Sequence, residues 1–224
     1  SPMENPGRIV VVIVLLACLW IAIIAWFVSE MEASWYRYIM EWRFAENGTI
    51  RPRFGFGAVD NACVCAVHNH HVYWRFDFDI VQPNNKVYQV ERGRRFLRPV
   101  PTEIGLLRNY ATNRSFIIQN ADGNEAYMLV PNLTDGVADA YGRGDFWFLK
   151  TAPNNGELGI TSGTAIEMSP YLNGESLDNT DVTAWYGAHF IHADGANRLD
   201  SRRNGETALS GSHVVGLDLR PIRW

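Results

Sequence analysis

The sequence predicts a mostly β-stranded domain, a β-sandwich, preceded by one N-terminal transmembrane α-helix. Three observations predict it. A twenty-residue uncharged stretch lies near the start, short alternating segments separated by turn residues follow it, and no sustained helical period occurs beyond the anchor. The 224 residues suit one helix and one further domain. The expected division is a tail over 1–8, a helix over 9–30 and an extracytoplasmic sandwich over 31–224.

The helix is expected because Ile9 to Val28 carries no charge. At 1.5 Å per residue, twenty residues reach about 30 Å, the thickness of a bilayer's hydrocarbon core. A cleaved signal peptide has a shorter apolar region and a small-residue cleavage site. Here Ser29-Glu30-Met31-Glu32 follows instead. Trp20, Trp26, Trp35, Tyr36 and Tyr38 suit an interfacial aromatic belt or a face packed on a partner helix. Arg8 flanks one side, and Arg37 and Arg43 the other among Glu30, Glu32 and Glu41, so the charge bias is nearly even. The expected placement is single-pass in the cell (inner) membrane, with the N-terminus cytoplasmic and the domain periplasmic or extracellular. The partners implied are the lipid bilayer and other membrane-protein subunits.

The formal net charge of -4 excludes a nucleic-acid footprint. The cysteines, Cys18, Cys63 and Cys65, do not make a disulfide scaffold.

Glu41–Ala45 and Thr49–Phe56 read as a hairpin with a favoured two-residue turn at Asn47-Gly48. From Tyr73 onward Trp74, Phe76, Phe78 and Ile80 alternate with Arg75, Asp77 and Asp79, the period of a half-buried strand. Pro83-Asn84-Asn85 is a turn; Phe116–Gln119, Ala126–Val130, Asp145–Leu149 and Val182–Tyr186 are further strands.

His68-Asn69-His70 sets two imidazoles on one face of an extended strand, within reach of one metal ion, and turns His71 to the other face. By the same parity Cys63 and Cys65 face away from His68 and His70. A third imidazole from His189, His192 or His213 would close a three-nitrogen site for copper or zinc, and the affinity order favours copper. A surface histidine cluster is the alternative. For Asp77 and Asp79 the alternative is a solvated face paired with arginines.

Three stretches together resemble the catalytic domain of the copper-containing, quinone-cofactor amine oxidases. HNHHVYWRFDFDI, His68 to Ile80, resembles the family segment with two copper histidines followed by an acidic-x-acidic pair. ESLDNTDVTAWYGAHFIH, Glu175 to His192, resembles the strand that ends on the third copper histidine. WYRYIMEWRFAENGTI, Trp35 to Ile50, resembles the strand bearing the quinone-forming tyrosine. The resemblance implies copper ligands at His68, His70 and His192, and the tyrosine position at Tyr36. It also implies a calcium or manganese site from the carboxylates of Asp77, Asp79 and Asp181 with the carbonyls of Phe78 and Val182.

The departures point away from catalysis. The family's Asn-Tyr-acid triplet is Trp35-Tyr36-Arg37 here. Upstream of Tyr36 only Glu4, Glu30 and Glu32 are acidic, and none matches the family's aspartate base. Amine oxidation needs that base to take the substrate's α-proton. The expected function is therefore an accessory or structural subunit of a larger membrane complex, respiratory or photosynthetic, that retains a copper site without forming a quinone at Tyr36. The alternatives are a minimal copper redox enzyme and an extracytoplasmic copper-binding module.

Overall fold

The computed structural model describes residues 25–33, 36–58, 68–91, 97–109, 111–133, 135–140, 142–152, 168–192 and 213–223. Within them the chain forms fourteen strands and a single 3-10 turn, Ser169–Tyr171. The strands are β1 Ala25–Ala33, β2 Tyr36–Phe44, β3 Ile50–Ala58, β4 His68–Phe78, β5 Asn85–Val90, β6 Arg98–Pro99 and β7 Ile104–Leu106. After them come β8 Ser115–Asn120, β9 Ala126–Val130, β10 Phe146–Lys150, β11 Asp178–Thr180, β12 Val182–His192, β13 His213–Val215 and β14 Asp218–Arg223.

Every pairing is antiparallel. The larger sheet runs β1-β2-β3-β14-β9-β8-β5-β11, with β13 on β3 and β6 on β5. The smaller sheet runs β4-β12-β10-β7. The two pack face to face as a sandwich. Phe116 of β8 meets Phe146 and Phe148 of β10 at ring-centroid distances of 4.8 and 4.6 Å. Trp42 of β2 meets Phe76 of β4 at 6.2 Å, and Phe54 of β3 meets Phe190 of β12 at 6.3 Å. The alternation read from Trp74 to Ile80 holds: all four apolar residues are buried in this shared core. A second cluster of Trp147, Leu149, Met168 and Trp185 covers the outer face of the smaller sheet.

The N-terminal segment corrects the sequence reading. The expected helix was to reach residue 30, yet Ala25–Ala33 is strand, paired along its whole length with β2 from Ala25↔Phe44 to Ala33↔Tyr36. Residues 9–24 lie outside the described residues. Among the described residues no helix is long and apolar enough to cross a membrane. A uniformly apolar run carries no period, so sequence cannot separate a membrane helix from a strand. Pairing with β2 decides it for residues 25–30. The strand lies at the sheet edge with Trp26, Phe27, Val28 and Met31 exposed. The residues of the expected aromatic belt divide accordingly. Trp26 is exposed beneath the Arg43 guanidinium, 4.7 Å from its ring centroid, while Tyr36 and Tyr38 pack against the core. Trp20 and Trp35 lie outside the described residues.

The expected hairpin joins β2 to β3, but its loop is longer than two residues. The Ala45 amide donates to Thr49 O and the Gly48 amide to Ala45 O, with Gly48 at φ 77°. Glycine is the residue that adopts this left-handed conformation without strain. The turn after β4 is pinned by buried Asn85, whose Nδ2 donates to Phe78 O and Pro83 O, each at 2.7 Å. Strands β5 and β14, unanticipated from the sequence, complete the larger sheet; Cys63 and Cys65 lie outside the described residues.

Phe116 is a fully buried contact between the sheets. Phe116→Ala is expected to destabilise the domain by about 3–5 kcal/mol through lost transfer energy and a residual cavity. Urea unfolding followed by tryptophan fluorescence measures it.

Candidate metal-binding site

The eleven-residue pairing of β4 with β12 runs from Val182↔Phe78 to His192↔His68. This register sets His192 directly opposite His68 and Phe190 opposite His70. Directly opposed residues of an antiparallel pair share a face, with Cβ atoms about 4.5–5.5 Å apart. His68, His70 and His192 therefore hold neighbouring positions on the core-facing side of one ladder end. The His68 and His70 rings lie 4.8 Å apart between centroids. His70 stacks on Phe190 at 5.0 Å and 10°.

The larger sheet supplies Tyr36. Its Oη lies 3.1 Å from His68 Nε2, and its ring stands edge-on to His70 at 5.4 Å. Tyr36 is thus joined to the imidazoles. Arg37, on the next position and the opposite face of β2, pairs with Glu30 at 3.3 Å in solvent. Of the other candidate third imidazoles, His189 faces away with His71, and His213 begins β13 opposite Phe56.

The carboxylates occupy the other end of the ladder. Asp77 and Asp79 are exposed, and Asp77 engages Arg75 Nη1 at 3.2 Å and Thr151 Oγ1 at 3.3 Å. Asp181 precedes Val182, which pairs with Phe78. Burial, then the charges of Asp77 and Asp79, raise the Asp181 carboxyl above its ordinary pKa, against a hydrogen bond from Thr151. Asp181 Oδ1 is buried with no hydrogen-bond partner, the kind of oxygen a hard cation would satisfy. Among the described side chains no three His, Cys, Asp or Glu converge as a metal cluster. The His192 side chain is outside that set. A cavity of about 450 Å³ opens at the carboxylate end, between Trp42, Phe44, Phe76 and Tyr127, away from the histidines.

Behind the ladder lies a polar network that the sequence did not single out. His71 pairs with His189 in register, and their Nδ1 atoms are 2.7 Å apart. His189 Nε2 lies 2.9 Å from Asp145 Oδ1, and His71 Nε2 lies 3.3 Å from Asp139 Oδ1. Burial and the facing His189 lower the His71 pKa, against Asp139. Beyond Asp145, buried Arg108 donates from Nη1 to Tyr186 Oη at 2.8 Å and from Nη2 to Gly136 O. Tyr186 Oη donates to Asp135 Oδ2 at 2.6 Å.

Three solved structures share this architecture. Pichia pastoris lysyl oxidase is 14% identical with a TM-score of 0.67, over 89% of this chain and 34% of that chain. A copper-containing benzylamine oxidase from Hansenula polymorpha is 16% identical with a TM-score of 0.66, over 88% and 38%. Aspergillus nidulans amine oxidase is 17% identical with a TM-score of 0.63, over 88% and 34%. The chain therefore has the fold of copper amine oxidases and spans roughly a third of the length of these chains. At such identities the likeness establishes the fold alone. No protein-family model and no curated protein matches the chain.

Asp135 gives a pH signature. Burial pushes its carboxyl up to about 7, against the Tyr186 hydrogen bond, the Arg108 charge and the Gly216 amide. A carboxyl raised in the folded state stabilises the fold fully below its unfolded pKa and loses that contribution as pH rises through the folded value. From pH about 4 to about 7 the wild type is expected to lose stability relative to Asp135→Asn, on the order of 4 kcal/mol at full shift. The difference is expected to be constant above pH about 8. Urea unfolding of both proteins across pH 4–9 checks it.

Proposed function

We propose that the chain is a copper-binding domain of the amine oxidase fold that serves a membrane assembly as an accessory subunit and does not turn over amines. The register that sets His192 opposite His68, with Tyr36 Oη against His68 Nε2, carries the copper part. Three imidazole-bearing positions beside a phenol form a donor set that fits a nitrogen-preferring transition ion. His68, His70 and His192 would hold the copper, which when bound supplies Lewis-acid and one-electron redox chemistry. The chain's own part is to orient the donors: Phe190 backs His70, and Tyr36 braces His68. Asp77, Asp79 and Asp181, with the carbonyls of Phe78 and Val182, would hold calcium or manganese. The orphaned Asp181 oxygen supports that placement.

The accessory role is supported by Arg37 in place of the family's acid and by the exposed apolar edge strand β1. The bilayer contact moves to residues 9–24, which precede β1 and are uncharged. The domain would then lie on the periplasmic or extracellular side with the N-terminus cytoplasmic. Trp26, Phe27, Val28 and Met31 would meet neighbouring subunits near the membrane surface.

A second reading, a minimal copper redox enzyme, is favoured by one contact. A phenol 3.1 Å from an imidazole nitrogen of the donor set supports Tyr36 as a quinone precursor.

Copper titration of the full chain, followed by electron paramagnetic resonance, tests the first reading. One tight Cu²⁺ is expected, weakened roughly a hundredfold or more in His68→Ala and in His192→Ala. Equal affinity in all three proteins would overturn it. Quinone staining of the copper-loaded protein separates the readings: no stain is expected, and a stain lost in Tyr36→Phe would establish the enzyme. Detergent extraction from native membranes is expected to yield a complex larger than the monomer; a lone monomer counts against the accessory role.

A further inference from the structure

We propose that His71 and His189 form a second, buried metal site on the opposite face of the β4–β12 ladder, taking one divalent d-block ion such as zinc, with Tyr73 as the third donor. The proposal is independent of the copper reading, because none of its residues belongs to that donor set.

The argument begins with hydrogen positions. Asp145 accepts the Arg108 amide on Oδ2 at 2.6 Å and has the Arg108 guanidinium 3.6 Å from Oδ1. Asp139 accepts the Asn69 amide on Oδ2 at 2.6 Å and the Gly142 N–H on Oδ1 at 2.9 Å. Both carboxylates act as acceptors, which favours hydrogens on the imidazole nitrogens facing them. Those nitrogens are Nε2 of His189, 2.9 Å from Asp145, and Nε2 of His71, 3.3 Å from Asp139. Each ring then presents a bare Nδ1 lone pair to the other across 2.7 Å. Two lone pairs facing at that distance repel unless a proton or a metal cation lies between them.

A ring nitrogen that donates to a carboxylate while its partner nitrogen points at a shared centre is the usual outer arrangement of a metal-bound histidine. His189 shows it toward Asp145, and His71 turns its Nε2 to Asp139 at 3.3 Å. The rings are also locked. The Gly142 backbone lies against the His71 ring, where any Cβ would collide with it. Tyr73 stands edge-on to His189, with centroids 6.1 Å apart at 77°. The Tyr73 hydroxyl oxygen is buried and has no hydrogen-bond partner. This unused buried oxygen would supply a third ligand, and water the fourth position of a tetrahedral ion. Bonds of about 2.0–2.1 Å would spread the two nitrogens to about 3.3 Å, a shift of roughly 0.3 Å per ring.

The test counts zinc. The full chain is stripped with a chelator, loaded with Zn²⁺ and analysed by elemental mass spectrometry after gel filtration, with near-ultraviolet circular dichroism reporting the fold. The double variant His68→Ala/His70→Ala is expected to retain one equivalent. Adding His189→Gln is expected to remove it, and Tyr73→Phe to weaken binding about tenfold. Cobalt(II) in place of zinc is expected to give tetrahedral d–d bands that disappear in His189→Gln. A folded double variant without zinc, or zinc retained undiminished in His189→Gln, overturns the proposal. Should the double variant not fold, comparing wild type with His189→Gln decides: a deficit of one equivalent supports the site and equal counts overturn it. A proton shared between the two rings, seen by ¹⁵N NMR in protein that excludes zinc, also overturns it.

Discussion

The antiparallel ladder between β4 and β12 is the constraint on which the rest of the molecule depends. Eleven consecutive residue pairs fix which side chains share a face and which meet across the strands. One face carries Trp74, Phe76 and Phe78 with Val182, Ala184, Tyr186 and Phe190 into the core. The same face ends in His68, His70 and the position of His192. A slip of one residue would move every one of these side chains to the other face. It would expose the aromatic core and disperse the histidines together, so core packing enforces the register that the candidate site needs.

Ladder register alone does not complete the donor group. Tyr36 belongs to the other sheet, and it reaches His68 because Trp42 packs on Phe76 and Phe54 on Phe190. The inter-sheet spacing is therefore set by large aromatic contacts and read out at a phenol–imidazole distance of 3.1 Å. Buried polar groups follow a different rule. Arg108, Asp135, Asp145, Tyr186 and His189 are buried, and each finds a partner inside the network. Buried charges that lacked such partners would cost several kcal/mol apiece. This network links the segment before β10 and the loop at Gly136 to the strand that carries the histidines.

The sequence was most legible where period and burial coincide. Trp74 to Ile80 alternates and is buried as the alternation implies. The hairpin at Asn47-Gly48 and the strand Ala126–Val130 were also legible: turn chemistry in one case, a short mostly apolar run after the Asp122-Gly123 turn in the other. Apolar character without alternation was the source of error. Ala25–Glu30 looked like the end of a membrane helix and is strand, because its pairing partner β2 is supplied by residues downstream. The short pieces β6, β7, β11 and β13 have too few residues for a period and are held by pairing alone.

By itself the sequence determined the two-residue spacing of His68 and His70, their separation from His71, and the alternating core of β4, because local backbone geometry fixes all three. It also carried the likeness to the amine oxidase strands, through residue order. Only the tertiary structure decided which distant histidine stands opposite His68, that Tyr36 belongs with the imidazoles, and that His71 and His189 meet. These are consequences of one long-range register and one inter-sheet packing. The antiparallel register that sets residue 192 opposite 68 necessarily sets 189 opposite 71. No local preference specifies that register; it follows from burying both faces of the ladder at once.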